Sequence, residues 1–584
     1  MQIRSPLLVA TTLLWAASAV GPARADTGPM APSRLVGLWG ADRVFVSLRH
    51  GEVAVRRSAD VLHAKIGNEE TLATPSQDGG FVFRFGDDGG ELRTTSFRAN
   101  RPEAMWIQPA TITTGVRYAT PVQLLRNGSN AWRGTISPKD DRLEIYLVIG
   151  RAPSGSLNAF FRDPLANVGV FDRVRSVVRR GNSIDFTTRS GRLTGTLQGS
   201  GTLSLSLPQF AASLTFTRRN LQNAEGFYAR RAPIATSYRK PAVENDGWDV
   251  ARASAVGLDE DALATLVARL SSSKSTALSS PYLQSVTVAR HGKLVLDEYF
   301  YGFDQSTLHD TRSAGKTYAD LLTGVAQFRG APIDDRTPLL SLFPQYTSLA
   351  NDDPRKRMIT VGNALSMSTG LDCDDNDDSS TGNEDAMQSQ TVQNDWYKLV
   401  LDAKMVRNPG TKAVYCSASI NLVGGAIVGA THQWLPLFFQ QTVAAPLQMQ
   451  RYALNLTPTG EMYLGGGAYV RPRDFMKLGQ VFLDGGTWQG RRLMSADWVA
   501  RSWRPILSLG ANDDYGYAWH ILRRAARGRL YDAYEAQGNG GQILEVLPQL
   551  DLTIMITAGN YQNYETWGPM RDDIVKSIIE AISR

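Results

Sequence analysis

Ser313 and Lys316, three residues apart in Ser313-Ala314-Gly315-Lys316, are the pair in this chain with the clearest means to covalent catalysis. A serine hydroxyl is a weak nucleophile until a base takes its proton, and a lysine held neutral by burial can be that base. In the stretch from Thr317 to Phe328, residues Tyr318, Leu321, Leu322, Val325 and Ala326 recur at helical spacing. This predicts Ser313 on the first turn of a buried helix, with Lys316 one turn above it on the same face. A helix N-terminus also favours the negative charge that develops during attack. Taken alone the tetrapeptide is common, and a capping serine beside a solvated lysine is its plain structural alternative.

Two further segments bear on that choice. Tyr415 stands just ahead of an apolar helical run, Ile420 to Val428, after the turn Asn408-Pro409-Gly410. A phenol so placed can enter a cleft, and beside a cationic lysine its pKa falls, which suits a proton shuttle. Near the C-terminus, Gly538-Asn539-Gly540-Gly541-Gln542 precedes the strand pattern Ile543 to Leu547. Glycines inside a strand mark a close approach to the backbone, here by a substrate carbonyl accepting from an N–H group.

The elements that must position these residues fall into two halves. Residues 34–219 alternate with period two between Gly-rich turns, as in Phe81 to Phe85, Leu143 to Ile149, Leu193 to Leu197 and Leu203 to Leu207. Short, regularly spaced strands of this kind predict an all-β sandwich or barrel. Periodicity fades over 220–255, which reads as an interdomain linker with packing of its own. Residues 256–584 read as mixed α/β. Asp259 to Leu270 is an amphipathic helix, and two strands meet at the hairpin His291-Gly292-Lys293. A strand at Leu552 to Thr557 and a helix from Trp567 to Ile582 close the chain. Strands at both ends with helices between predict an antiparallel sheet flanked by helices, plus a helical subdomain.

These motifs, in this order, resemble the serine β-lactamase and penicillin-binding-protein family in its class C and esterase branch. The resemblance covers about residues 245–584. Ser313-x-x-Lys316 is similar to the first motif and Tyr415-Cys416-Ser417 to the second, and Asn539-Gly540-Gly541 stands where the third motif carries Lys/His-Thr-Gly. The flanks Ile359-Thr360-Val361, Ser366 to Leu371 and Asn408 to Thr411 agree. Leu371-Asp372-Cys373-Asp374-Asp375 and Gly538 to Gln542 look most like 6-aminohexanoate-dimer hydrolases. The resemblance implies a β-lactamase/transpeptidase-like C-terminal domain and an acyl-enzyme on Ser313, with Lys316 and Tyr415 handling its proton. It also implies an oxyanion hole from the backbone N–H groups of Ser313 and Gln542, with Asn539, Gly540 and Gly541 beside the substrate. Asn539 replaces a cation that would hold a substrate carboxylate. That favours an uncharged ester or short amide over a penicillin. A β-lactamase or D-amino-acid peptidase is the alternative enzyme, and a binding protein with a degenerate hydrolase domain the non-catalytic one.

Composition bounds the partners. The chain has 584 residues, 20% charged and 42% hydrophobic, with a net charge of +6. That length fits two or three domains. Arg4, the apolar run Leu7 to Val20 and Ala23-Arg24-Ala25 read as an export signal over residues 1–25, giving a periplasmic or secreted protein. No long apolar run follows, so no stable membrane insertion is expected. No basic stripe with interleaved aromatics marks a nucleic-acid partner. The six histidines lack His-x-x-His spacing and no Cys-x-x-Cys occurs, so neither metal nor cofactor is expected. No Gly-x-Ser-x-Gly elbow is present. Asp372 to Asp378 reads as a solvated acidic loop, and Gly465-Gly466-Gly467 as a tight turn. Cys373 and Cys416 pair in an oxidising compartment or remain two buried thiols; the sequence leaves both open, along with the oligomeric state.

Overall fold

In the computed structural model, residues 35–45, 49–86, 90–97, 101–165, 169, 173–198, 201–210, 212–230, 237–390 and 394–583 are described. The export signal read over residues 1–25, most of the glycine turn at 86–90 and Pro233 of the linker lie outside them.

Alternation of apolar and polar residues sends every second side chain of a strand to one face, and the N-terminal half uses this twice. Eight antiparallel strands, from Gly37–Val44 to Ala212–Arg218, form one sheet over a core that includes Trp39, Leu147, Phe161, Phe186 and Phe216. A second sheet runs through seven strands between Gly51–Ser58 and Tyr118–Gln123, flanked by Ala131–Ile136, over Val53, Phe83, Leu92 and Trp106. This second sheet does not end with the β-domain. Tyr118–Gln123 pairs with Tyr452–Asn455 (Ala119 opposite Leu454, Tyr118 opposite Asn455), which pairs in turn with Ala468–Val470 and then His309–Asp310. The two halves of the chain therefore share one hydrogen-bonded ladder that ends next to Ser313.

The C-terminal half is mixed α/β, with a nine-stranded sheet at its centre. Its central strands are buried on both faces. Ile554 and Ile556 of Leu552–Ala558, with Ile543 and Leu547 of Gln542–Leu547, face the helices Glu260–Ser271 and Tyr564–Glu580. Met555, Leu544 and Val546 face the opposite core, which holds Pro472–Leu483 and the helical subdomain. Asp259 caps the first of these helices by accepting from the amides of Asp261 and Ala262. The predicted hairpin joins Leu283–Arg290 to Lys293–Tyr299, with His291 (φ 52°) and Gly292 (φ 68°) both left-handed, as a two-residue primed turn requires.

The linker is pinned by charge. Asp246 accepts from Arg473 at 2.8 Å, Glu244 pairs with Arg471 at 3.0 Å, and Trp248 donates from Nε1 to the Arg473 carbonyl at 2.9 Å. Tyr515 and Trp519 are core residues, and Tyr517 donates its hydroxyl to Asp335.

Candidate active site

Ser313 does not sit on an α-helix. Arg312–Lys316 is a 3₁₀ turn that leads into the α-helix Thr317–Phe328. In a 3₁₀ turn residues three apart eclipse one another, which brings Lys316 directly over the serine. Its Nζ donates to Ser313 Oγ at 2.8 Å and to the Gly465 carbonyl at 2.5 Å, and the side chain is 2% exposed. The turn is entered under strain: Arg312 is left-handed at φ 49°, unusual for a residue with a Cβ. Asp310 holds it there, accepting from the Arg312 amide at 2.9 Å and pairing with its guanidinium at 3.0 Å.

The helix behind the serine is locked by Asp320. Its carboxylate accepts from Trp498 Nε1 (2.8 Å), Ser502 Oγ (2.8 Å) and Trp519 Nε1 (3.1 Å). Burial pushes this carboxyl up to about 8, while the three donors pull the other way.

Two glycine segments, remote in sequence, abut the nucleophile turn. A Cβ on Gly466 (φ 139°) would lie 2.7 Å from the Arg312 carbonyl oxygen and 3.2 Å from the Ser313 amide nitrogen. A Cβ on Gly538 would collide with the Thr311 carbonyl and reach 3.1 Å from the Ala314 amide. The segment Gly465-Gly466-Gly467 is thus more than a tight turn: it packs against the Ser313 turn and supplies the carbonyl to which Lys316 donates.

Tyr415 immediately precedes Cys416, which caps the buried helix Ser417–Thr431 through its sulfur. Lys316 Nζ lies 5.0 Å from the centroid of the Tyr415 ring. Cys373 and Cys416 are joined as a disulfide, which settles the pairing that the sequence left open. The bridge ties the acidic loop to the residue after Tyr415, and the Asp375 amide donates to the Tyr415 carbonyl at 2.9 Å.

That loop is not simply solvated. Asp375 turns inward and accepts from both the amide and the hydroxyl of Ser417 at 2.7 Å. Glu384 accepts from Tyr463 at 2.5 Å and from Ser417 at 3.3 Å. Burial, reinforced by Asp375, pushes the Glu384 carboxyl up to about 6, against the opposing pull of Lys316. Composition shows that a loop is acidic but not which carboxylates turn inward, so neither residue stood out in the sequence.

Ser313 opens into a cavity of about 540 Å³ together with Glu384, Tyr463, Gly466 and Asn539. Of the third segment, Asn539 alone lines this cavity. Its Oδ1 accepts from the Gln562 amide at 2.6 Å. Gly540 and Gly541, expected beside the substrate, serve packing instead. A Cβ on Gly540 would meet the Tyr561 ring at 2.6 Å, and one on Gly541 would meet Ala558 and Trp567 at 3.1 Å. Gln542, expected in the oxyanion hole, lies on the neighbouring strand opposite Gly538, 1% exposed, with its side-chain Nε2 donating to the Ala558 carbonyl at 2.5 Å.

Residues 281–569 match the family model described as Beta-lactamase. Among solved structures, a family VIII carboxylesterase is 17% identical, with 58% of this chain and 100% of that chain covered and a TM-score of 0.45. A Bacillus anthracis protein described as a 6-aminohexanoate-dimer hydrolase is 18% identical over 51% of this chain and 80% of its own, with a TM-score of 0.43. A penicillin-binding protein homologue from Caulobacter crescentus is 14% identical over 52% and 93%, with a TM-score of 0.41. The matched stretch spans Ser313, Tyr415 and the glycine turn, so residues 281–569 of this chain form a Beta-lactamase-family domain.

Proposed function

We propose that the protein is an exported serine hydrolase that cleaves a carboxylic ester or short amide through an acyl-enzyme on Ser313. The observation that carries this reading is the 2.8 Å contact between Lys316 Nζ and Ser313 Oγ at the edge of the 540 Å³ cavity. With Nζ anchored on the Gly465 carbonyl, the amine form of Lys316 accepts the Oγ proton as Oγ bonds to the substrate carbonyl carbon. Lys316 and Tyr415 pass that proton to the leaving group as its bond to the carbonyl carbon breaks; water then attacks the acyl carbon, and its proton passes back to Oγ as the acyl–Oγ bond breaks and the acid is released.

Gly538 supports an oxyanion hole made of the amides of Ser313 and Asn539. The glycine rests on the nucleophile turn, so the peptide after it is the nearest part of the third segment, and Asn539 lines the cleft. Two backbone donors aimed at one developing oxyanion are worth about 10²–10³ in rate each. The neutral Asn539 amide offers no ion pair to a substrate carboxylate, which favours an uncharged ester or amide.

The test is hydrolysis of p-nitrophenyl acetate by the full chain and by Ser313→Ala, with mass spectrometry after a fluorophosphonate probe. Turnover that vanishes with the serine, together with one adduct on Ser313, is the expected result. Equal slow hydrolysis by both proteins would sink the reading. Nitrocefin turnover is expected to be weak or absent.

A further inference from the structure

The cavity that exposes Ser313 is not built by the hydrolase half alone. Residues from Thr113 to Tyr118 of the β-domain line it, facing Leu456 and Pro458 across the shared sheet. This wall is rigidly built. The Asp141 carboxylate accepts from the amides of Ile112 (2.7 Å) and Thr113 (3.0 Å), and the Thr111 amide donates to the Val116 carbonyl at 3.1 Å. Thr114 Oγ1 and the Tyr118 hydroxyl lie 2.9 Å apart, and the Leu456 amide donates to the Arg117 carbonyl at 3.0 Å. A segment held from both domains acts as a fixed wall, not a lid.

The charged groups on the lining already have partners. Arg117 pairs with Glu91 at 2.9 Å, Arg312 with Asp310, and Glu384 with Ser417 and Tyr463. What remains for a substrate is the apolar surface of Val116, Leu456 and Trp396 and a few neutral polar groups. A volume near 540 Å³ is also far more than an acetyl ester fills.

We propose that the β-domain is the specificity element of the hydrolase: its Thr113–Tyr118 wall selects esters or amides carrying an extended, uncharged acyl or alcohol group. This rests on the hydrolase reading above. Val116 is the residue to change, since it is half-buried and belongs to no part of the Ser313 machinery.

The experiment compares p-nitrophenyl acetate with p-nitrophenyl octanoate for the full chain and for Val116→Trp, with fluorophosphonate labelling of Ser313 as the check on folding. Filling the wall is expected to raise KM for the octanoate about tenfold or more, while kcat/KM for the acetate stays within about threefold. If Val116→Trp loses labelling, Val116→Ala, which cannot overpack, decides: octanoate KM should rise about threefold with acetate unmoved. Changes of one size for both esters, or an unmoved octanoate KM, overturn the specificity role while leaving the hydrolase reading intact. Absence of Ser313-dependent turnover in the parent protein overturns both.

Discussion

Replacing Gly466 by alanine tests whether the glycine loop at 465–467 positions the nucleophile. The new Cβ would start 2.7 Å from the Arg312 carbonyl oxygen and 2.9 Å from its carbon, distances that side-chain carbons essentially never adopt. Opening the gap to ordinary contact requires a displacement of about 0.7 Å, and both flanking pieces are backbone with no rotamer to turn away. Since a 1 Å misplacement of reacting groups can cost about 10²-fold, a shift of about 0.7 Å predicts about a 25-fold fall in kcat/KM, or about 1.9 kcal/mol. The loss should fall on kcat, because the Ser313 turn and the Gly465 carbonyl that anchors Lys316 shift relative to the bound carbonyl.

Gly466 also has φ 139°, so alanine adds backbone strain of about 1–3 kcal/mol that lowers stability whatever happens at the site. Gly490 supplies the control. It is left-handed at φ 76°, and a Cβ there meets nothing within 4 Å. Gly490→Ala should therefore lower the thermal midpoint without altering catalysis. Steady-state kinetics on a p-nitrophenyl ester and thermal unfolding of the three proteins separate the two effects. If Gly466→Ala keeps kcat/KM within about twofold of the parent, or if Gly490→Ala loses as much, the glycine loop does not position the serine.

The remaining predictions concern the acidic loop. Glu384 has its carboxyl raised from 4.5 to about 6, so its contribution to stability is fully present below 4.5 and is lost as pH rises through 6. The loss is about 2 kcal/mol. Glu384→Gln abolishes it, and between pH 4.5 and 7 the variant should gain about that much on the parent in denaturant unfolding; parallel stability curves would refute the assignment. The Cys373–Cys416 bridge closes a loop with a sequence separation of 43, and removing it should lower stability by about 4 kcal/mol through the unfolded chain. Ester turnover should fall with it, because the bridge anchors the residue after Tyr415. Two titratable thiols in the unreduced, unfolded protein would show that no bridge forms.

Much of the fold was legible because its periodicities are local. Leu203 to Leu207 alternates cleanly, and the structure makes Thr202–Leu207 a strand whose three leucines are buried. His291-Gly292 is a turn signal that needs no knowledge of the rest of the chain. The Ser313–Lys316 pair, which the structure brings to 2.8 Å, was legible for the same reason, its members being three residues apart. What escaped detection depends on contacts between distant residues. Gly466 looked like any turn glycine, since nothing in the chain near it names Arg312 as its neighbour. The joining strand Tyr452–Asn455 has four residues, too few to stand out as a strand, yet it carries the ladder that connects the β-domain to the site. At the third segment the glycines were legible and their roles were not. Whether a glycine admits a substrate or an aromatic ring depends on Tyr561 and Trp567, which follow some twenty residues later.

The nucleophile turn is held by pieces that each lack the atoms that would push it away. Gly315 has no Cβ to strike the Thr311 hydroxyl, Gly466 none to strike Arg312, and Gly538 none to strike Thr311. Three glycines spread over more than two hundred residues thus remove side chains from one small volume, which the proposed chemistry would use for a carbonyl facing Lys316 and amides facing an oxyanion. Close packing of this kind leaves Arg312 no relaxed alternative, and that explains how a residue with a Cβ persists at φ 49° directly before Ser313. On this argument Arg312→Gly would relieve the strain yet loosen the turn, since glycine there has many conformations to lose on folding. The strained arginine is better seen as a consequence of how tightly the serine is held than as a separate catalytic device.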